Sequence, residues 1–319
     1  MSDIRELPQK IPVIAILGPT GVGKSSIGQL LAEQLNGEII SADSMQVYRG
    51  MDTGTAKVPP ARRSVRYHCI DLVEPGENFS AALYQECARQ AIIDIDSREK
   101  RPFVVGGTGL YVRAVLDDFS FPAGDVSSES RLKLEAEAEC IGAHAMHKRL
   151  TAADPESAKL IHPNNLRRTL RALEMAEQGR SYAEQHSGFS EYHDVFETLR
   201  FGLTMERAAL YRAIELRVES MLESGLLDEI ATLLDRGFRE AVTSAQAIGY
   251  KEFVPVLEGR TSLLEATSAV IQATRRYAKR QISWFRRDER IVWIDATGKS
   301  HEDCAAEIAR AIESNSFIM

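Results

Sequence analysis

Gly18-Pro-Thr-Gly-Val-Gly-Lys24-Ser25 has the G-x-x-x-x-G-K-[ST] spacing of a phosphate-binding loop. The chemistry open to such a stretch is anion capture. Gly18, Gly21 and Gly23 can take φ > 0 and let the backbone approach an anion closely. With Pro19, Thr20 and Val22 they form a loop whose N–H groups point inward, at the partially positive start of a helix. Lys24 is suited to bridging terminal phosphates, and the Ser25 hydroxyl to holding Mg²⁺. The cargo is a di- or triphosphate. Alone, the loop reads as an ATP or GTP site.

Three further groups can act on such a cargo. Asp43 follows a short apolar run, Glu38-Ile-Ile-Ser41, and so stands at the strand end where open α/β sheets bind ligands. It could ligate Mg²⁺, act as a general base, or cap the following turn. Gly106-Gly-Thr108 follows another core strand, at the place where a nucleotide hydrolase carries a metal-binding Asp. Its absence argues against ATP hydrolysis. Thr108 is free to hydrogen-bond a substrate or to N-cap the next helix.

The third group is basic. At about 100° per residue, Arg275, Arg276, Lys279, Arg280, Arg286, Arg287 and Arg290 fall within an arc of roughly 140°. Tyr277, Ala278, Ile282, Trp284 and Phe285 take the opposite side. Arg167, Arg168 and Arg171 form a second basic cluster at helical spacing. Two such helices suggest a clamp that reads phosphates on a polyanion, against the plainer reading of a solvated face. His144 and His147 stand i,i+3 but lack a third ligand, and Met221, Leu222, Leu226 and Leu227 read as core.

The elements that position these residues alternate. Ile11–Leu17 reads as a strand, Ile27–Leu35 as a helix, Glu38–Ser41 and Tyr67–Leu72 as strands. Ser80 caps a helix to about Glu99, Pro102–Val105 is a strand, and a helix follows Gly106–Tyr111. This is an α/β pattern with a parallel sheet and helices on both faces. The alternation stops near Phe119–Asp125. From Ser127 to about Gly179 only helical signals occur, with turns at Asp154-Pro155 and His162-Pro163 and a loop around Ser187–Ser190. Val195–Leu203 returns to a strand. Helices are expected over Arg207–Ser224, Leu226–Arg236, near Ile248–Glu258, and over Ser262–Phe285. A last strand, Ile291–Asp295, and a helix from about Glu302 close the chain. The reading is a P-loop nucleoside-triphosphatase-like core over 1–119 and 195–319 with an all-helical insertion over 120–194.

Composition sets limits. The 319 residues are 44% hydrophobic and 27% charged, with a formal net charge of −7. That charge argues weakly against nucleic acid, although net charge averages over faces. Cys69, Cys87, Cys140 and Cys304 form no C-x-x-C pair and read as free thiols of a reducing cytosol. The charged N-terminus has no signal-peptide core, and no apolar run approaches the ~20 residues of a membrane span. A cytoplasmic protein is expected.

These pieces together resemble the tRNA dimethylallyltransferases (isopentenyltransferases). The resemblance is carried by the P-loop, by Ser41-Ala-Asp-Ser-Met-Gln-Val-Tyr-Arg-Gly-Met-Asp-Thr-Gly-Thr-Ala-Lys57, and by Val105-Gly-Gly-Thr-Gly-Leu-Tyr111. His162-Pro-Asn164 with Arg171-Ala-Leu-Glu174, Ile248-Gly-Tyr-Lys251 and Arg275 through Trp284 extend it, so that it spans about Ile11 to Trp293. The loop ends in Ser25 where Thr is commoner, which keeps the hydroxyl.

The resemblance implies transfer of a dimethylallyl group from dimethylallyl diphosphate to N6 of the adenosine 3′ of the anticodon, in tRNAs reading codons that start with U. The P-loop would then hold the pyrophosphate leaving group, with Lys24, Arg217 and Mg²⁺ on Ser25 neutralising its charge. Asp43 would be the general base and Thr108 would contact the adenine. The adenosine would leave its stack to enter a channel, meeting the donor from the other side. The implied tRNA contacts are Asp43, Ser44, Met45, Gln46, Thr108, Arg131, Arg167, Arg168, Thr169, Leu170, Arg171, Gln246, Ala247, Ile248, Gly249, Tyr250, Lys251, Arg275, Arg276, Lys279, Arg280, Arg286 and Arg287. The anticodon stem-loop is the expected partner of a monomeric enzyme. A small-molecule or nucleotide kinase and a non-catalytic tRNA-binding protein are the competing readings.

Overall fold

Six segments form one sheet in the computed structural model, which describes residues 10–119, 121, 129–188, 192–241 and 243–314. They are β1 (Pro12–Leu17), β2 (Gly37–Ala42), β3 (Tyr67–His68), β4 (Arg101–Gly106), β5 (Glu197–Thr204) and β6 (Ile291–Asp295). Their order is β3-β2-β4-β1-β5-β6 and every pairing is parallel. The expected α/β class holds. A parallel ladder requires crossovers, so the helices lie over its faces and the strands read as continuous apolar runs. In β1, Val13 through Leu17 are wholly buried.

The crossovers begin with α1 (Lys24–Gln34), α2 (Ala81–Asp96) and α3 (Gly109–Leu116). Ser80 caps α2, its hydroxyl accepting the Leu83 amide. Then come α4 (Glu129–Ala153), α5 (Pro155–Leu160), α6 (Leu166–Glu177) and α7 (Tyr182–Gly188), and after β5 the helices α8 (Arg207–Glu223), α9 (Leu226–Leu234), α10 (Val254–Leu257), α11 (Leu263–Phe285) and α12 (His301–Ser314). Ile27 and Leu31 of α1 and Ala305 and Ile308 of α12 share one core with Ile14, Ile16, Phe103 and Phe201 of the sheet. No helix among the described residues is long and apolar enough to cross a membrane.

The chain divides into two compact units, Met1–Asp118 with Asp194–Met319, and Phe119–His193. In the first, the points where the chain leaves and returns are pinned together. Asp117 and Asp194 form an antiparallel bridge. Arg290 donates to both carboxylates, each at 2.9 Å, and Arg200 of β5 reaches Asp117 at 3.1 Å and also Asp194. The second unit has its own core, in which Leu134, Met146, Leu150, Leu170 and Leu173 meet. Asp154 organises it by capping α5 at the Ser157 amide (3.1 Å) and accepting the Ser181 hydroxyl (2.8 Å). His147 is occupied by the carbonyls of Ile161 (2.8 Å) and Ala158 (3.2 Å), a structural use of its ring.

Several expected boundaries move. The strand expected over Tyr67–Leu72 ends at His68, because Cys69 (φ 59°) and Asp71 (φ 54°) turn the chain out of register. Ser187 and Gly188 belong to α7, not to a loop, while Phe189 and Ser190 lie outside the described residues. The helix near Ile248–Glu258 shrinks to Val254–Leu257, the chain ahead of it being turned by Gly249 (φ 91°). The first helix of the second unit is interrupted at Gly142.

Candidate active site

β1 feeds straight into the phosphate loop. Gly18 takes φ 144°, and a Cβ there would stand 2.7 Å from the Leu203 carbonyl of the neighbouring β5, so no larger residue fits. Gly21 (84°) and Gly23 (93°) are also left-handed, and α1 starts at Lys24. Lys24 Nζ is folded onto the Pro19 carbonyl at 2.6 Å. Burial pushes the Lys24 ammonium down to about 7; the nearby Arg217 guanidinium adds to this and Asp43 opposes it. Arg217 reaches the same place from α8. Its own pKa is lowered by burial, with Asp43 pulling the other way. Two desolvated cations thus stand beside an anion cradle with one carboxylate near them.

That carboxylate is Asp43, one residue past β2. Its Oδ1 accepts the Met45 amide at 2.9 Å, an Asx turn that orients the side chain. Among the described residues its other oxygen holds no hydrogen bond. The cap takes one oxygen and leaves the other open. Thr108 occupies the N-cap position of α3 without capping it by its side chain. Its Oγ1 instead accepts the Ser44 amide at 3.1 Å, and its own amide donates to the Ala42 carbonyl at 3.0 Å. The Gly106-Gly-Thr108 turn is thereby stitched to the Asp43 turn. Neither strand paired with β1 ends in a carboxylate: β4 ends at Gly106 and β5 at Thr204.

Two cavities meet here. One, of about 640 Å³, is lined by Gly21, Gly23, Lys24 and Ser25. The other, of about 470 Å³, is lined by Ser44, Met45, Gln246 through Lys251, Arg276 and Arg280. Thr20, Asp43, Thr55, Arg217 and Tyr277 line both. Asp43 and the half-buried Arg217 stand at this junction and the half-buried Lys24 on the first cavity, so that a diphosphate-bearing ligand on one side would meet a second reactant on the other beside them.

Three residues of this site were not singled out from sequence. Tyr277, expected to pack into the core, faces the junction; burial, and then Asp43, push its pKa up to about 12 against the opposing influence of Thr108, Arg280 and Gln281. Gln281, buried, accepts the Thr20 amide at 2.9 Å and donates to the Gly107 carbonyl at 2.9 Å. The Thr20 amide is therefore engaged by α11 and not turned to the cradle. Glu229 of α9 accepts the amides of Thr53 (2.7 Å) and Gly54 (3.3 Å) and the Tyr250 hydroxyl (2.6 Å). A buried polar residue amid an apolar helix face was the available signal for Gln281.

The residues expected to read RNA separate into two classes. Arg167, Arg168, Arg276, Lys279, Arg280, Arg286, Arg287, Gln246 and Lys251 are exposed. Others are committed elsewhere. Arg275 pairs with Glu215 and lies over the Tyr211 ring. Arg290 belongs to the Asp117 cluster, since α11 ends at Phe285 and the helical arc does not continue to it. Thr169 and Leu170 are buried in the second unit, and Arg131, 9% exposed, pairs with Glu135 at 2.7 Å. Ala247, Gly249 and Tyr250 are buried as well, Tyr250 fully, held by Glu229. Ala247, Gly249 and Tyr250 nonetheless line the second cavity. Arg171 is half-buried against Glu174 at 2.8 Å.

Comparison with known proteins follows the same outline. The sequence model of the IPP transferase family matches residues 46–288. A protein of Carboxydothermus hydrogenoformans named tRNA dimethylallyltransferase is 46% identical over 308 residues, covering 96% of this chain and 99% of its own. One of the same name from Bacillus licheniformis is 47% identical over 289 residues, covering 90% and 92%. The crystal structure of the full-length tRNA isopentenylpyrophosphate transferase of Bacillus halodurans superposes with a TM-score of 0.71 at 43% identity, covering 96% of each chain. A eukaryotic dimethylallyltransferase captured acting on tRNA gives a TM-score of 0.80 at 32% identity, covering 97% of this chain and 79% of its own.

Proposed function

The chain belongs to the IPP transferase family and is a prenyltransferase that modifies tRNA, and on that premise we propose that it moves a dimethylallyl group from dimethylallyl diphosphate to N6 of the adenosine 3′ of the anticodon, releasing pyrophosphate. The observation that carries this reading is the free oxygen of Asp43 at the junction of the two cavities, beside Lys24 and Arg217. A kinase of this fold would lead from the P-loop to an acidic strand end, and the strands flanking β1 end in Gly106 and Thr204.

In this mechanism the diphosphate lies in the P-loop cradle and the prenyl chain points to the junction. As the C1–O bond breaks, its electron pair leaves with the diphosphate and C1 gains allylic cation character. Lys24 and Arg217 stabilise the charge growing on the departing oxygens, more strongly for being desolvated. Ser25 Oγ opens onto the same cavity as Lys24 and Asp43. That oxygen donor set suits Mg²⁺ shared with phosphate oxygens, and bound Mg²⁺ would supply further charge neutralisation. The adenine enters from the cavity lined by Ser44, Met45, Gln246 and Arg280. N6 bonds to C1, and its proton passes to the free oxygen of Asp43. Thr108 acts from behind, its Oγ1 holding the Ser44 amide beside the base. The exposed Arg167, Arg168, Arg276, Lys279, Arg280, Arg286 and Arg287 supply phosphate contacts. On the same reading the enzyme is a cytoplasmic monomer.

The test is nucleoside mass analysis of tRNA incubated with the protein, Mg²⁺ and dimethylallyl diphosphate. Formation of N6-dimethylallyladenosine with stoichiometric pyrophosphate is expected. Phosphorylation from ATP with no prenyl product would refute the proposal.

A further inference from the structure

His301 has no place in the motifs discussed so far, yet the fold brings it to the phosphate loop. β6 runs parallel to β1, so its C-terminal end and the helix that follows emerge at the same sheet edge as the loop. α12 packs beside α1 through Ile27, Leu31, Ala305 and Ile308. Ser300 and Asp303 form a reciprocal cap, the Asp303 amide donating to Ser300 Oγ at 3.0 Å and the Ser300 amide to Asp303 Oδ2 at 3.2 Å. This fixes His301 at the first position of α12.

The ring then lies directly over Gly23. Its Nε2 is 2.6 Å from where a Cβ on Gly23 would stand, so the absence of a side chain there admits the imidazole. His301 lines the same cavity as Gly23, Lys24, Ser25 and Ser26. Among the described residues neither ring nitrogen is held by a hydrogen bond or an ion pair. The charged groups facing this cavity are Lys24, Lys57, Arg62, Arg217, Asp43 and Glu302. Lys57 is already spent on Asp52 (2.8 Å), Asp71 (2.6 Å) and the Tyr48 carbonyl (2.6 Å). The cavity therefore has an uncommitted imidazole in its lining, one that the second cavity does not share.

We propose that His301 is a ligand of the diphosphate, its Nε2–H donating to a phosphate oxygen beside Gly23. The group recognised is an inorganic or alkyl diphosphate. This rests on the P-loop holding the donor's diphosphate, as argued above. The imidazole contacts the leaving group both in the bound donor and in the released pyrophosphate. It therefore contributes to binding in both states and little to the bond-breaking step itself.

The experiment is steady-state kinetics on full-length wild type, His301→Ala and His301→Gln, with pyrophosphate as product inhibitor. Thermal melts confirm that each variant is folded. His301→Ala is expected to raise both the KM for dimethylallyl diphosphate and the inhibition constant of pyrophosphate about tenfold, as expected for a hydrogen bond to a charged group. Its kcat and its tRNA affinity should stay within about twofold of wild type, the distinction between uniform binding and transition-state stabilisation. His301→Gln keeps an N–H donor and is expected to recover part of the loss. Unchanged pyrophosphate inhibition in a folded His301→Ala overturns the proposal, leaving the ring as packing over Gly23. Wild type that transfers no prenyl group and ignores pyrophosphate removes the underlying function as well, so the two failures are told apart.

Discussion

Gln281 accepts the Thr20 amide at 2.9 Å, which ties the C-terminal part of α11 to the phosphate loop across 261 residues of chain. The same side chain donates to the Gly107 carbonyl at 2.9 Å, so one amide sets the spacing between the loop after β1 and the loop after β4. Gln281→Leu leaves both backbone groups buried and unpaired, at a cost of about 1–3 kcal/mol each at most. The expected result is a lower melting temperature and a KM for dimethylallyl diphosphate raised about tenfold, with tRNA affinity little changed. Unaltered donor kinetics in a folded variant would show the bridge to be dispensable for the loop.

On the proposed mechanism Asp43 divides its work between a turn and a proton. Asp43→Asn keeps an oxygen for the Met45 amide and cannot serve as a base. Single-turnover prenyl transfer should fall by about 10²–10⁴-fold, the usual worth of a positioned base, while tRNA binding by filter assay stays within a few-fold. Lost binding with intact chemistry would contradict the assignment.

Lys24 titrates near 7 in the free protein because burial and Arg217 oppose its charge. A bound diphosphate favours the charged form and raises that pKa. Between about 7 and the raised value, binding therefore takes up a proton and weakens as pH rises, by up to about tenfold per pH unit. Calorimetry of pyrophosphate binding at pH 8 in two buffers of different ionisation heat should show this uptake in wild type. Lys24→Met should abolish it.

Glu38, almost wholly buried at the start of β2, loses affinity for its proton despite burial, which acts to raise its pKa. Contacts from His68, Arg98 and Lys100 outweigh the burial and hold it at about 2. Its folded pKa lies below its unfolded value, so it contributes stability above about pH 4.5 that is lost as pH falls towards 2. Glu38→Gln should cost about 1–3 kcal/mol at pH 7 and flatten the acid side of the stability profile. Urea titrations at pH 3 and pH 7 give the comparison.

Arg276 and Arg280 line the acceptor-side cavity and stay exposed, whereas Arg275 is engaged with Glu215. Arg280→Ala is expected to reduce the salt dependence of tRNA binding by about one unit of slope. Arg275→Ala should instead lower thermal stability and leave the slope near wild type. A reversed pattern would return Arg275 to the RNA surface.

Local patterns were readable from the chain. The P-loop spacing, the apolar runs of β1, β2 and β4, and the Ser80 helix cap all depend on residues a few positions apart. Long-range partnerships were hidden. Arg275 and Arg290 look like their exposed neighbours in sequence, but Glu215 takes the first out of the basic face, and Asp117 and Asp194, with the nearby Asp288, take the second. Tyr277 and Gln281 sit on the apolar side of α11, where a tyrosine ordinarily means core, and the turns after β2 and β4 redirect them to chemistry. The Tyr67–Leu72 strand failed because Asp71 turns to meet Lys57, a contact that periodicity does not contain.

The paired exit and return of the chain at Asp117 and Asp194, locked by Arg200 and Arg290, has a consequence for engineering. Both ends of this excursion lie side by side on one scaffold, so splicing a short turn from Asp118 to Asp194 should leave every rung of the six-strand ladder in place.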